Sequence, residues 1–259
     1  MTQLFYGGDA SGVTRSWRDR LVHLVLPAPC LSCGAPLPAG GASAPPTLGL
    51  CRSCRVRLRP LPPGGCAVCC RPLPAALLPP GWQCQDCREE PPAFDRLLAL
   101  WSYEEPLAAV VRALKFRRLD YLGRHLGEAL AARFAAHLGS ADLVVPVPLH
   151  WRRRLLRGYN QAERIARPLA ARLGRPLVPL LRRARATPPQ SLLGKAARVA
   201  NLRRAFRVDD PARLRGLHLL LVDDVATTGA TLEAAAAVLR KAGAAAVTAV
   251  TAGRTLGRW

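Results

Sequence analysis

Lysine is nearly absent from this chain of 259 residues: Lys115, Lys195 and Lys241 are the only three. Acids are scarce as well, 17 against 38 basic residues, so a formal charge of +21 rests almost wholly on arginine. Such a field attracts polyanions, unless it reflects an arginine-rich compositional bias. No run of about 18 apolar residues occurs, and no helical membrane span is expected. Leu21–Leu26 is too short for a secretory core and lacks a good cleavage site, and Pro29 before Cys30 argues against a lipoprotein site. A cytoplasmic protein is therefore expected. Large apolar residues are few between Cys30 and Cys87, which denies that stretch a substantial hydrophobic core of its own.

That stretch has cysteines instead. Eight of the nine in the chain form four Cys-x-x-Cys pairs, Cys30/Cys33, Cys51/Cys54, Cys66/Cys69 and Cys84/Cys87, and Cys70 is left over. Spacers of 17 residues between the first two pairs and 14 between the second two match the pattern of a zinc site. Each pair presents two thiolates from one tight turn. Two pairs complete a tetrahedral shell with no open position, so two structural zinc ions are expected, bound by sequential pairs. Disulfides fit poorly in a chain without a signal sequence, and a redox role for one pair would leave the other three unexplained. Cys70 is a bystander or a substitute for Cys69. The Pro- and Gly-rich segments Pro36–Pro46 and Pro60–Gly65 suit ribbon loops, and metal binding would supply much of the folding free energy here. The layout expected is a tail over 1–20, a double zinc ribbon over 21–92 and a second domain over 93–259, with Trp17–Leu26 a short amphipathic helix leading into the ribbon. The first 92 residues carry 9 Arg against 5 acids and the remainder 29 Lys and Arg against 12 acids, so the basic excess belongs to the second domain.

That domain reads in βα order. A strand is predicted over Asp95–Tyr103, helices over Glu105–Phe116 and Tyr121–Leu138, and a short apolar strand from Asp142 that ends in a Pro-bounded loop before His150. Asn160 is placed to cap a helix over Gln161–Leu173, with Glu163 completing a capping box and Pro168 kinking it. Val178–Leu181 reads as a further strand, and residues 182–203, without clean periodicity, as a loop. Leu217–Val222 and Ala246–Val250 complete a parallel sheet around an intervening helix.

The chemistry concentrates in His218–Thr231. An apolar strand stops at two carboxylates, Asp223 and Asp224. Five small or hydroxyl-bearing residues follow, Thr227, Thr228, Gly229, Ala230 and Thr231, with Thr231 a plausible N-cap for the helix Leu232–Lys241. Backbone N–H groups at a helix N-terminus, added hydroxyls and no bulky side chain make a phosphate cradle. Carboxylates beside it, at the carboxyl end of a strand, suit the 2- and 3-hydroxyls of a ribose 5-phosphate.

This stretch resembles the phosphoribosyl-pyrophosphate (PRPP) motif of type I phosphoribosyltransferases, spanning Asp223, Asp224, Val225, Ala226 and Thr227–Thr231. Together with the cysteine framework, Leu114-Lys115-Phe116-Arg117, Val145–His150, Arg157–Ala162, Thr187–Gln190, Arg198, Asn201 and Phe206, it is similar to the ComF family. These are double-zinc-ribbon proteins with a phosphoribosyltransferase domain, linked to DNA uptake in natural competence. The resemblance implies an α/β parallel-sheet fold of the type I phosphoribosyltransferase kind behind the ribbon. It implies a pyrophosphate loop over Pro146–Arg152, with Pro148, Leu149, His150 and Arg152, Arg153 or Arg154 as contacts. It implies a closing lid over Arg182–Arg204, with Lys195 or Arg198 as cation and Thr187 and Gln190 as polar contacts. Magnesium would accompany PRPP, and Asp223 and Asp224 would stabilise an oxocarbenium-like state as a nitrogen nucleophile displaces pyrophosphate. Thr227 stands where purine-salvage members carry a carboxylate, which disfavours hypoxanthine or guanine as acceptor. Met1 is followed by Thr2, so an N-terminal glutaminase cysteine is not expected either. Tyr159 and Phe206 read as packing residues before base stackers. The alternative function is a non-catalytic PRPP sensor or scaffold of the uptake machinery that binds single-stranded DNA or partner proteins through the ribbons and basic surface.

Overall fold

A computed structural model describes residues 28–37, 48–61, 65–72, 79–183 and 205–256. The N-terminal tail, the Trp17–Leu26 helix and the lid residues Thr187, Gln190, Lys195 and Arg198 lie outside them. Two short helices, α1 (Arg52–Val56) and α2 (Gln85–Glu89), each begin directly after a cysteine. The second half runs β1 (Arg96–Ser102), α3 (Leu107–Phe116), α4 (Tyr121–Leu138), β2 (Leu143–Pro146), α5 (Trp151–Arg157), α6 (Gln161–Leu173), β3 (Leu181–Arg183), β4 (Phe206–Val208), β5 (His218–Ala226), α7 (Ala230–Lys241) and β6 (Ala246–Arg254).

β1, β6, β5 and β2 form one sheet in that order, every pair parallel. Near-continuous apolar runs in β5 and β6 are what a parallel strand buried on both faces requires. The pleat alternates them: Leu220 and Val222 enter the core shared with α3, α4 and α6, while Leu219 and Leu221 enter the core under α7. The antiparallel β3–β4 pair packs beside α7 through Leu181 and Phe206.

α4 and α6 approach closely because α4 carries glycines on the contact face. A Cβ at Gly127 would sit 2.2 Å from the Ile165 carbonyl oxygen and 2.5 Å from Pro168 Cγ, and one at Gly123 would sit 2.5 Å from Arg164 Cβ. Gly127→Ala must therefore push α6 off α4. Overpacking of this kind costs about 1–3 kcal/mol, and a fall of several degrees in melting temperature is expected by calorimetry. An unchanged melting temperature would show that the helices can part freely.

The first ribbon is not packed as a separate body. Cys30, Leu48, Leu50 and Cys54 share one buried core with Leu107, Leu114 and Leu122. The link after α1 runs along the free edge of β1: Leu61 N–H donates to the Leu100 carbonyl at 3.0 Å, and Ser102 N–H donates to the Arg59 carbonyl at 2.9 Å. From the second ribbon, the Val68 carbonyl accepts from Leu97 N–H at 2.7 Å. These contacts join both ribbons to β1 and its neighbouring core.

Several sequence expectations change in detail. β5 does not stop at Val222 but continues through Asp223 and Asp224 to Ala226, because pairing with β6 carries on to Arg254. The loop expected over Pro146–Arg152 ends at His150, and Trp151–Arg157 is a helix closed by Gly158 in the left-handed conformation at φ 86°. The strand expected at Val178–Leu181 begins only at Leu181. Asn160 does cap α6, accepting from Ala162 N–H, but the Glu163 carboxylate is engaged by Arg167 one turn on at 2.9 Å.

Candidate functional site

The carboxyl end of the sheet gathers the chemistry. β2 and β5 are adjacent and in register, Pro146 beside Val222, and Val147 N–H donates to the Val222 carbonyl at 2.9 Å. The loops leaving these two strands therefore emerge side by side. From β5 come Asp223 and Asp224, 7% and 3% exposed. From β2 come Pro148 and Leu149, half-buried, and His150, buried.

The two acids have different surroundings. The pleat carries Asp224 toward the face of Leu220 and Val222, where Lys115, in the last turn of α3, meets its Oδ2 at 2.5 Å. Gln161, the first residue of α6, donates to Oδ1 of the same carboxylate at 3.3 Å. Among the described residues Asp223 forms no such ion pair. Burial pushes its carboxyl well above the usual range, the neighbouring Asp224 charge pushes it further, and Lys115 only partly opposes them. Its Oδ1 accepts from Asp224 N–H at 2.8 Å.

The Arg157–Ala162 motif acts as a clamp around this pair. Tyr159 OH donates to the Leu114 carbonyl, one residue before Lys115. Asn160 Nδ2 donates to the Val147 carbonyl at 2.9 Å, tying α6 to the end of β2. Arg157 donates to Gln161 Oε1 at 2.5 Å and lies over the Phe116 ring at 5.5 Å. Arg157 thus braces Gln161 directly, Tyr159 braces the end of α3 next to Lys115, and Asn160 braces the start of α6. Replacing Lys115 by Met removes one partner of a buried pair and leaves the carboxylate uncompensated, at a cost of about 3 kcal/mol. A lower unfolding midpoint in urea with an unchanged slope is expected; an unchanged midpoint would mean the pair carries no weight.

After β5 the backbone opens into the cradle. Val225 is half-buried, Ala226 buried, and Thr227 and Thr228 exposed. Gly229 is the N-cap of α7, in the left-handed conformation at φ 79°. A Cβ there meets nothing within 4 Å, so glycine is required by conformation and not by space. The helix starts at Ala230, one residue before the expected cap at Thr231. Thr228 Oγ accepts from Ala230 N–H at 3.3 Å, which leaves its O–H available as a donor. Beneath the loop lies Arg254 from the end of β6, buried, donating to the carbonyls of Ala226 at 3.2 Å and Thr227 at 2.5 Å. It holds those carbonyls inward and adds a fixed positive charge below the cradle.

Beside the cradle, His150 caps α5, its Nδ1 accepting from Arg152 N–H at 3.3 Å. Burial and the charges of Arg183, Arg152 and Arg153 lower its pKa, so it serves as a neutral cap. Arg152 is exposed and lies over the Trp151 ring at 5.2 Å. Arg183 of β3 contributes charge toward both His150 and Asp223.

The cysteines form two repeats of one construction. Cys30, Cys33, Cys51 and Cys54 bring their sulfurs within 4.8 Å of one another, as do Cys66, Cys69, Cys84 and Cys87. Cys51 N–H reaches Cys30 Sγ at 3.3 Å and Cys84 N–H reaches Cys66 Sγ at 3.3 Å. The Cys33–Cys51 and Cys69–Cys84 sulfur separations are both 3.7 Å. Metal–sulfur bonds of about 2.3 Å in a tetrahedron set sulfurs about 3.8 Å apart, so both groups fit a tetrahedral ion, paired sequentially. Cys70 belongs to neither; it packs against the core under α7 and its thiol pKa is raised by burial.

Over 215 residues the chain is 38% identical to the DNA utilization protein YhgH of Salmonella typhi, covering 77% of this chain and 94% of that one. It is 31% identical over 206 residues to competence protein F of Haemophilus influenzae, covering 75% and 86%. The chain belongs to the ComF family. Within it, residues 160–256 match the phosphoribosyl transferase domain model. A solved purine phosphoribosyltransferase from Pyrococcus horikoshii Ot3 overlaps 54% of the chain and 86% of its own, at 18% identity and a TM-score of 0.32.

This ComF chain therefore couples two Cys₄ groups to a parallel-sheet phosphoribosyltransferase-type domain. Among its described residues no helix is long and apolar enough to cross a membrane. Lys115 and Arg254 are the site residues that sequence patterns alone did not assign. Both carried a signal: Lys115 is one of three lysines among 38 basic residues, and Arg254 is a charge ending an otherwise uncharged strand.

Proposed function

We propose that this ComF chain binds PRPP with magnesium at the Asp223–Thr231 site and transfers its phosphoribosyl group to a nitrogen nucleophile. The observation that carries the reading is the junction of β5 and α7: two buried acids, then a small-residue loop opening onto a helix N-terminus. The 5-phosphate lies in the loop over the N–H groups of Gly229 to Thr231, with the Thr227 and Thr228 hydroxyls as donors. The ribose hydroxyls donate to Asp223 and Asp224. Pyrophosphate departs toward the Pro148–Arg152 loop, where exposed Arg152 offers a cation, with Lys195 and Arg198 as further cations from the lid. Magnesium would enter with PRPP, held more by substrate than by protein, and would neutralise pyrophosphate charge, which suits a site where one of the two acids is already matched to Lys115. Asp224, kept in place by Lys115 and Gln161, and Asp223 stabilise positive charge developing at the anomeric carbon. In the ribbons, zinc has the structural role that closed Cys₄ shells imply.

Calorimetric titration of the zinc-replete chain with magnesium–PRPP, followed by pyrophosphate release in a pool of nitrogen nucleophiles, tests the reading. Saturable binding with nucleophile-dependent release supports transfer. Absence of binding overturns the site.

A second reading, binding without turnover in a DNA-handling role, is favoured by α5. Trp151, Leu155 and Leu156 are 59%, 77% and 79% exposed on one short helix with Arg152, Arg153 and Arg154. Aromatic and arginine side chains together suit single-stranded nucleic acid. Affinity for an oligonucleotide that falls steeply with salt supports this reading, and a shallow slope removes it.

A further inference from the structure

We propose that the seam between the first ribbon and α4 is a second ligand site, one that takes a small organic anion with a flat apolar body. A cavity of about 510 Å³ lies there, between Leu48, Arg55 and Leu58 on the ribbon side and Trp101, His125 and Arg172 on the other. This is within the roughly 300–1,000 Å³ of small-molecule sites, and none of its lining belongs to the Asp223–Thr231 site.

The donors of the cavity define the ligand's polar end. Among the described residues, Arg55 Nε, a donor, and His125 Nδ1, a donor or acceptor according to tautomer, are both buried and lack a hydrogen-bond partner. An unsatisfied buried donor costs about 1–3 kcal/mol, which acceptor atoms of a ligand would recover. Charge gives the sign. Arg55 and Arg172 face one acid, Glu128, and that carboxylate is already engaged by Arg124 at 2.8 Å, with His125 at 3.8 Å. Burial lowers the His125 pKa, so at neutral pH the ring is a hydrogen-bonding group and not a second charge to be matched. The remaining balance is positive. Trp101, with Leu48 and Leu58, supplies the apolar wall for the ligand's body. Aromatic carboxylates, sulfonates and phosphate esters have this shape and charge.

Such a ligand would touch ribbon and sheet together, so its binding must stabilise the seam as a whole. Naphthalene-1-sulfonate is a suitable probe because it carries the ring and the anion but no ribose or phosphate. Titrated into the zinc-replete full chain, it is expected to bind at one saturable site and raise the melting temperature. Arg172→Glu and Ala132→Trp are each expected to weaken binding at least tenfold, the first by reversing a charge and the second by filling the cavity. Both positions are exposed, and circular dichroism and zinc content confirm that the variants fold. 1-Naphthalenemethanol, which lacks the charge, is expected to bind at least tenfold more weakly. No saturable binding, undiminished binding in both variants, or loss of binding in Trp151→Ala instead would overturn the proposal, the last by placing the probe on the exposed α5 face.

Discussion

Asp223→Asn is expected to weaken magnesium–PRPP binding about 100-fold or more, and at the same time to raise the melting temperature at pH 7.5. The two effects have one origin. A hydrogen bond to a charged acceptor is worth about 1.5–3 kcal/mol, enough for a change of that size when a ribose hydroxyl loses it. The carboxyl is nonetheless unfavourable to the unliganded fold. Burial and the adjacent Asp224 raise its pKa well above that of an aspartate in the unfolded chain. Between those two pKa values the unfolded state has already released its proton while the folded state retains it, so stability declines as pH rises through that window. Asparagine has no proton to lose, and its carbonyl can still accept from Asp224 N–H. The gain over wild type should therefore be largest above the folded-state pKa and vanish below about pH 4, where the carboxyl is protonated in both states. Melting curves from pH 4 to 8 with parallel calorimetric titrations measure both arms. A variant that melts lower than wild type at pH 7.5 would mean that Asp223 stabilises the empty site, and unchanged PRPP affinity would remove it from the ligand.

Removing zinc is expected to unfold the transferase half as well as the ribbons. Chelation, or Cys84→Ser in the second group, should abolish PRPP binding and amide-exchange protection in β5 and β6 together. Structural zinc in a small ribbon contributes about 10–16 kcal/mol of apparent binding free energy, whereas a whole domain is stable by about 5–15 kcal/mol. The loss cannot stay local when Leu48 and Leu50 lie in the same core as Leu107 and Leu114, and when Val68 and the 59–61 segment are hydrogen-bonded to β1. Retained protection in β5 after complete zinc loss, verified by metal analysis, would show that the sheet stands without its ribbons.

The four knuckles were legible from cysteine spacing, because two thiolates in one tight turn are half of a tetrahedral shell, while their sequential rather than crossed grouping is what the structure adds. The junction of β5 and α7 was legible for a similar reason: its features follow one another in sequence. What escaped were relations between distant segments. Nothing local marks Lys115 as the partner of Asp224, more than a hundred residues away, or Arg254 as the support beneath Thr227. The run Trp151–Arg157 does not read as a helix because it is only seven residues long and four of them are arginines, too short a stretch for periodicity to register. The extent of β5 was misjudged because carboxylates usually end a strand, and here pairing with β6 carries them inward.

The order of strands in the sheet sets a timetable for synthesis. β1 pairs with β6, and Arg96 lies beside Thr248, so a segment made early has no neighbour on that side until about 150 further residues have emerged. At about 5–20 residues per second, the wait is roughly 8–30 s. During that interval the other flank of β1 is already accompanied by the 59–61 segment, translated just before it and anchored in a ribbon that can take up its metal first. A nascent chain starved of zinc would leave β1 bare on both sides for the whole of that time, and the harm would fall during translation, before there is a finished protein to destabilise.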